Sequence, residues 1–131
     1  MNNYFNIFHS PDDLRKRWKG FEYFRDEKMG YCYACECGRF VKIGQTGKPV
    51  IRLSTHRDNA KVYGDNSIGR IIVTRAIPFH KDFERYLHLI FADKRRSIHQ
   101  EYFDVSFEEV CSAFHETLNK QPFVRYLFDR G

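Results

Sequence analysis

Residues 30–46, GYCYACECGRFVKIGQT, decide how the rest of the chain reads. Tyr31, Tyr33 and Cys35 alternate with Cys32, Ala34 and Glu36, which is the period of a strand, and Arg39 to Ile43 returns after Gly38 as a second strand. With Cys37-Gly38 as a two-residue loop, Glu36 stands opposite Arg39, Cys35 opposite Phe40 and Tyr33 opposite Lys42. Directly opposed residues share a sheet face. The pairing sets a phenol beside an ammonium, which favours the phenolate and predicts a lowered pKa for Tyr33. A one-residue slip in register would part the two groups.

Downstream of the hairpin, Gly44-Gln45-Thr46-Gly47-Lys48-Pro49 reads as a loop, and its glycine spacing is not that of a P-loop. A helix is predicted from about Pro49 to Asn59, with Val50 and Leu53 toward a core and Arg52 and His56 sharing another face. Residues 60–67 are turn-rich, and the β-branched run Ile68 to Ile77 is a strand that Pro78 ends. Phe83, Tyr86, Leu87, Ile90 and Phe91 follow the spacing of one buried helical stripe, beside a second stripe of His80, Glu84 and His88. Glu101 to Val105 is a short strand or extended segment, and Ser106 to Glu109 is a capping box opening a helix to about Lys120 that buries Phe107, Val110, Phe114 and Leu118. Phe123 to Phe128 is an apolar tail expected to pack back on the body.

Upstream, residues 1–9 are aromatic-rich and are expected to tie down to the body. Ser10-Pro11-Asp12-Asp13 is a helix start, with Ser at the N-cap and Pro at the first helical position. That helix runs to about Lys19 and carries Arg15, Lys16 and Arg17 around Trp18. The cluster reads as a solvated face with one anchor, or as a phosphate-contacting helix. Residues 21–29 are charged and lead into the first strand.

The chain has 131 residues, enough for one domain with its own core, and 17% of them are aromatic. A net charge of +5 permits a polyanionic partner. No signal peptide, membrane-length apolar run or lipidation motif is present, so a cytoplasmic protein is expected. Cys32, Cys35 and Cys37 crowd together without a second Cys-x-x-Cys pair, and Cys32 and Cys35 should face opposite sides of a regular strand. They read as thiols and small strand residues; zinc is the competing reading, with a distant His or Cys111 as fourth ligand. The fold class is α+β: a small antiparallel sheet of about three strands flanked by helices.

In chain order, Tyr33, then Lys42-Ile43-Gly44, Arg52-x-x-x-His56, Glu84-x-x-x-His88 and Glu101-Tyr102-Phe103 resemble the motifs of the GIY-YIG nuclease family. The resemblance is to the subgroup of phages and mobile elements whose second motif reads Lys-Ile-Gly. It covers about residues 30–105 as a catalytic core, with 1–29 an N-terminal helical extension and 106–131 a C-terminal helix and tail of a single domain. The sequence departs from the family in Tyr31 for the first glycine, Cys32 for the aliphatic residue and Lys42 for the second tyrosine. The polar residue that many members carry after the catalytic helix falls near His99 or Gln100.

The resemblance implies a metal-dependent DNA endonuclease. Tyr33 is then the water-activating group, and Arg52 the transition-state cation suited to phosphate geometry. His56 then bonds the phosphate or the attacking water, and Glu84 is the single carboxylate ligand of one Mg²⁺ (or Mn²⁺) that keeps most of its waters. An ordinary tyrosine, with pKa about 10, is a poor base at neutral pH, and Lys42 is expected to improve it. Lys48, Arg57, Arg15, Lys16 and Arg17 are candidate DNA contacts, and His88 and Glu101 candidate supports. Taken singly, each of these has a plain structural reading: a half-buried strand tyrosine, an edge lysine, surface ion pairs, a surface histidine. His80-x-x-x-Glu84-x-x-x-His88 also carries zinc ligand types, although His80 could precede the helix. Specificity would come from the short flanking pieces or a targeting partner protein, or be weak, and a homodimer would suit a double-strand cut. The competing functions are an inactive DNA- or protein-binding module on the same scaffold and a small zinc-binding regulator.

Overall fold

The computed structural model describes residues 5–18, 29–63, 68–96 and 101–120, with the backbone alone for 59–63. The charged segment before residue 29, the turn at 64–67, His99, Gln100 and the tail from Phe123 to Phe128 lie outside these residues.

In chain order the elements are β1 (Phe5–Phe8), α1 (Pro11–Arg17), β2 (Tyr31–Cys37), β3 (Phe40–Thr46), α2 (Pro49–Tyr63), β4 (Ile68–Thr74), α3 (His80–Ile90), a 3-10 turn (Ala92–Lys94), β5 (Tyr102–Phe103) and α4 (Phe107–Leu118). The class is α+β, as the pattern predicts, but the described sheet has five strands in the order β1-β4-β2-β3-β5 rather than about three. The additions are both edges. β1, at four residues, is too short to show a period of its own, and β5, at two, lies within the 101–105 segment expected to be a short strand or extended. α2 runs past Asn59 to Tyr63, and β4 stops at Thr74. Ile77 then makes an isolated bridge with Gly30.

The hairpin register is the main correction. Gly38 and Arg39 form the loop, so that Cys37 pairs with Phe40, Cys35 with Lys42 and Tyr33 with Gly44. Gly38 has φ 64° and no non-glycine residue described has positive φ, which is the Gly-first pattern of a type II′ turn. Moving the loop by one residue moves the pairing by two. Side-chain period is also two, so Tyr33 and Lys42 keep a common face but become diagonal neighbours.

Alternation in β2 divides the core into two. Cys32 and Ala34 join Val41, Ile43, Ile72, Phe83, Leu87, Phe103 and Phe114 on the face that α3 and α4 cover. Tyr31, Tyr33 and Cys35 join Ile71, Val73, Leu14 and Leu53 on the face that α1 and α2 cover. Sheet faces buried on both sides explain why β2 and β4 read as apolar runs. Ser10 accepts a bond from the Asp13 amide at 3.0 Å to start α1, and Ser106 does the same for Glu109 and α4. The predicted α4 stripe is buried throughout. On α3, Phe83, Leu87 and Phe91 are buried, but Ile90 is 41% exposed and leaves that stripe. Among the described residues no helix is long and apolar enough to cross a membrane.

His80 is buried against Gly30, where a Cβ would lie 2.5 Å from the imidazole Cδ2. Gly30→Ala should therefore destabilise the protein by about 1–3 kcal/mol through overpacking. Urea denaturation measures this; an unchanged midpoint would mean that the helix start is free to yield.

Candidate active site

Tyr33 lies across Gly44, its direct partner in β3. A Cβ at Gly44 would meet the Tyr33 hydroxyl oxygen at 2.7 Å, so only glycine lets the ring take this path. At the end of that path the hydroxyl stands 3.0 Å from His56 Nε2 on α2. Leu53, fully buried, anchors α2 and fixes the helix turn that bears Arg52 and His56. Arg52 is exposed and acts electrostatically on both Tyr33 and His56.

Lys42 is drawn to the edge of β3, where its Nζ bonds Glu101 Oε2 at 3.0 Å and lies 5.1 Å from the centre of the Tyr102 ring. The Ile43 amide donates to the Glu101 carbonyl at 3.0 Å, extending the β3–β5 ladder by one residue. Beyond it, His88 takes over from the missing strand: its Nε2–H donates to the Ile43 carbonyl at 2.9 Å. Thus α3, which packs on the opposite sheet face, is tied to the same edge of β3. One turn back on α3 stands Glu84.

Burial dominates the electrostatics. It raises the Tyr33 pKa, with Arg52 opposing only weakly, and Lys42 is not among the main influences. The expected phenolate is overturned: Tyr33 is a neutral phenol, because its hydroxyl is buried and Lys42 is turned to Glu101. Burial, with help from Lys42 and Arg52, lowers His56 to about 4, so it is neutral at pH 7. Burial and then the Glu101 charge raise Glu84 to about 7, with Lys42 opposing. Glu101 acts on Tyr33, His56, Glu84 and His88 alike. It is more central than a supporting role suggests. Its position just before a strand residue paired with Lys42 is the signal in the sequence.

The remaining candidates separate from this group. Arg17 is committed to Asp13 at 2.7 and 2.8 Å and to the Ile7 carbonyl at 3.0 Å, and it lies over Phe8. Arg15 pairs with Asp12 at 3.5 Å, and Arg57 with Asp12 and Asp58, which ties α1 to α2. Lys16 is exposed on α1, and Lys48 is exposed with its amide on Thr46 Oγ1 at 3.0 Å.

Among the described residues neither zinc reading finds its ligands together. His80 Nδ1 sits 3.3 Å from the Ile77 carbonyl, and His88 is bound to Ile43. Cys32 belongs to one sheet face; Cys35 belongs to the other, with its sulfur 3.9 Å from that of Cys37. No three His, Cys, Asp or Glu side chains converge among the described residues. Magnesium takes one or two carboxylates and keeps waters, and Glu84 with Glu101, whose charge acts on it, would be the residues to hold such an ion.

A model of one protein family, the T5orf172 domain, matches residues 30–118, more than half of the chain, from the start of the hairpin through α4. No curated protein and no solved structure matches.

The raised Glu84 pKa fixes a sign. The folded state holds this proton more tightly than the unfolded one, whose carboxyl titrates near 4.5, so the stability it adds is complete below about 4.5 and lost as pH rises through about 7. Glu84→Gln should therefore stabilise the protein more at pH 8 than at pH 5. Thermal denaturation at both values checks this; an equal gain at both would mean that the carboxyl is solvated. An NMR titration should find the His56 imidazole neutral down to about pH 4, and a midpoint near 6.5 would deny its burial.

Proposed function

We propose that this chain, which belongs to the T5orf172 domain family, is a GIY-YIG-type DNA endonuclease that hydrolyses phosphodiester bonds with one divalent cation. The observation that carries this reading is convergence. Groups from β2, β3, α2, α3 and the segment before β5 act on one another: Tyr33, His56 and Glu84 are shifted by burial and by the charge of Glu101, with Lys42 or Arg52 acting on each. Strongly perturbed acids and bases gathered from separate segments are the physical mark of a reactive site.

The chemistry follows from two neutral groups in contact. A neutral His56 offers Nε2 as an acceptor, and the Tyr33 hydroxyl is within reach to donate to it. The Tyr33 oxygen then has lone pairs free to take a proton from a water as it passes its own to His56. Tyr33 acts as a relay, and no phenolate is required. Without substrate, Lys42 and Arg52 disfavour a protonated His56. An anionic phosphodiester beside those two cations offsets their charge and raises the proton affinity of His56, so the base becomes competent when the substrate is in place. Arg52, exposed, faces the non-bridging oxygens as a two-pronged donor. Mg²⁺ or Mn²⁺ held at Glu84, with Glu101 beside it, would supply Lewis acidity at the phosphoryl oxygens.

Supercoiled plasmid should be nicked in Mg²⁺ and left intact in EDTA. Arg52→Ala and Glu84→Ala should each slow nicking by roughly 10²–10³-fold, the usual cost of one transition-state contact. Wild-type rates in both variants would remove the site. Because the ligating form of Glu84 is the carboxylate, the rate should rise with pH through about 7. Binding of DNA by the wild type with no nicking under any of these conditions would favour the inactive binding module.

A further inference from the structure

Phe40 opens β3 on the same sheet face as Lys42 and Gly44, because alternate residues of a strand share a face. Two guanidinium groups gather on its ring: Arg39 at 5.2 Å from the ring centre and Arg96 at 5.0 Å. Two steps along the strand, Lys42 lies over Tyr102. Two further on is Gly44, crossed by Tyr33. The result is two cation-bearing rings, Phe40 with two guanidinium groups and Tyr102 with Lys42, about 7 Å apart along β3 and leading to the candidate active site. Asp104 pairs with Arg39 and Glu101 with Lys42, while Arg96 is exposed and has no carboxylate partner among the described residues. Asp104 offsets one of the two charges on the Phe40 ring, and an anion beside Arg96 would offset the other.

We propose that Arg39, Arg96 and Lys42 form the track on which the phosphate backbone of duplex DNA lies as it enters the site. This rests on the nuclease reading and names the surface that holds its substrate. The backbone of a duplex fits better than stacked single-stranded bases, because the faces of Phe40 and Tyr102 carry the protein's own cations. The basic residues of α1 are excluded from the track by their place: Arg17 bonds the Ile7 carbonyl of β1, the sheet edge opposite β5.

The test is binding of a fluorescein-labelled duplex in EDTA, followed by anisotropy across a KCl series. The variants are Arg39→Gln with Arg96→Gln, Arg15→Gln with Lys16→Gln, and Arg96→Lys. Every phosphate that a variant no longer neutralises should lower the slope of log K against log [KCl] by roughly 0.9, so the first pair should lose roughly 1.8 and bind about tenfold more weakly or worse. The α1 pair and Arg96→Lys should keep the wild-type slope. A first pair that matches wild type in slope and affinity overturns the track, as does an equal loss in the α1 pair or a wild-type preference for a single strand of the same length. Wild type that binds the duplex through these arginines but never nicks in Mg²⁺ upholds the track and sinks the nuclease; nicking with the first pair unimpaired in binding does the reverse.

Discussion

The passage of one phenol ring over one glycine organises this molecule. Tyr33 reaches His56 only because Gly44 presents bare backbone beneath it. The same glycine leaves β3 thin where α2 and α3 approach from opposite faces. Everything around the contact is held by ordinary packing: Leu53 seats α2, Phe83 and Leu87 seat α3, and His88 fastens α3 to the β3 backbone. The side chains of the candidate site are fixed from behind, which is what preorganised polar groups require.

The electrostatics of the resting site are unbalanced. A carboxyl is raised to about 7 by its burial and by Glu101, and an imidazole is kept from protonating by burial and by two cations. Each departure is one that a bound ion relieves: a cation for the acids, a phosphate for the bases. On the proposed reading, the unliganded protein holds, as displaced pKa values, the charge pattern of its cation and its phosphodiester.

Much of this was legible in the chain, for definite reasons. The order of Tyr33, Lys42, Arg52, His56 and Glu84 survives any error in register, and the caps at Ser10 and Ser106 are local chemistry that the structure keeps. The loop at Gly38-Arg39 was misplaced by one residue, yet side-chain period forgave it, because pairings displaced by two preserve the faces. What could not be read was burial. A strand tyrosine beside a lysine looks like a phenolate on paper, but the three-dimensional surroundings of Tyr33 make it a reluctant acid, and Glu101 claims the lysine. The first edge strand was hidden too, since its four residues carry no period and only a partner strand declares it, whereas β5 falls inside the segment already read as short or extended.

That first edge strand has a consequence for how the fold can be divided. β1 pairs along β4 from Phe5 with Thr74 to Phe8 with Ile71, and Phe5 packs against Phe114 and His115 of α4, so the start of the chain is stapled to its last described helix. The segment that defines the family begins at residue 30 and leaves β1 and α1 outside. A fragment cut at that limit would bare the hydrogen-bonding groups of β4 and uncover Tyr31 and Cys35, inviting a second chain to fill the gap. For this protein the stretch shared with the family and the stretch that closes its own sheet are different lengths of polypeptide.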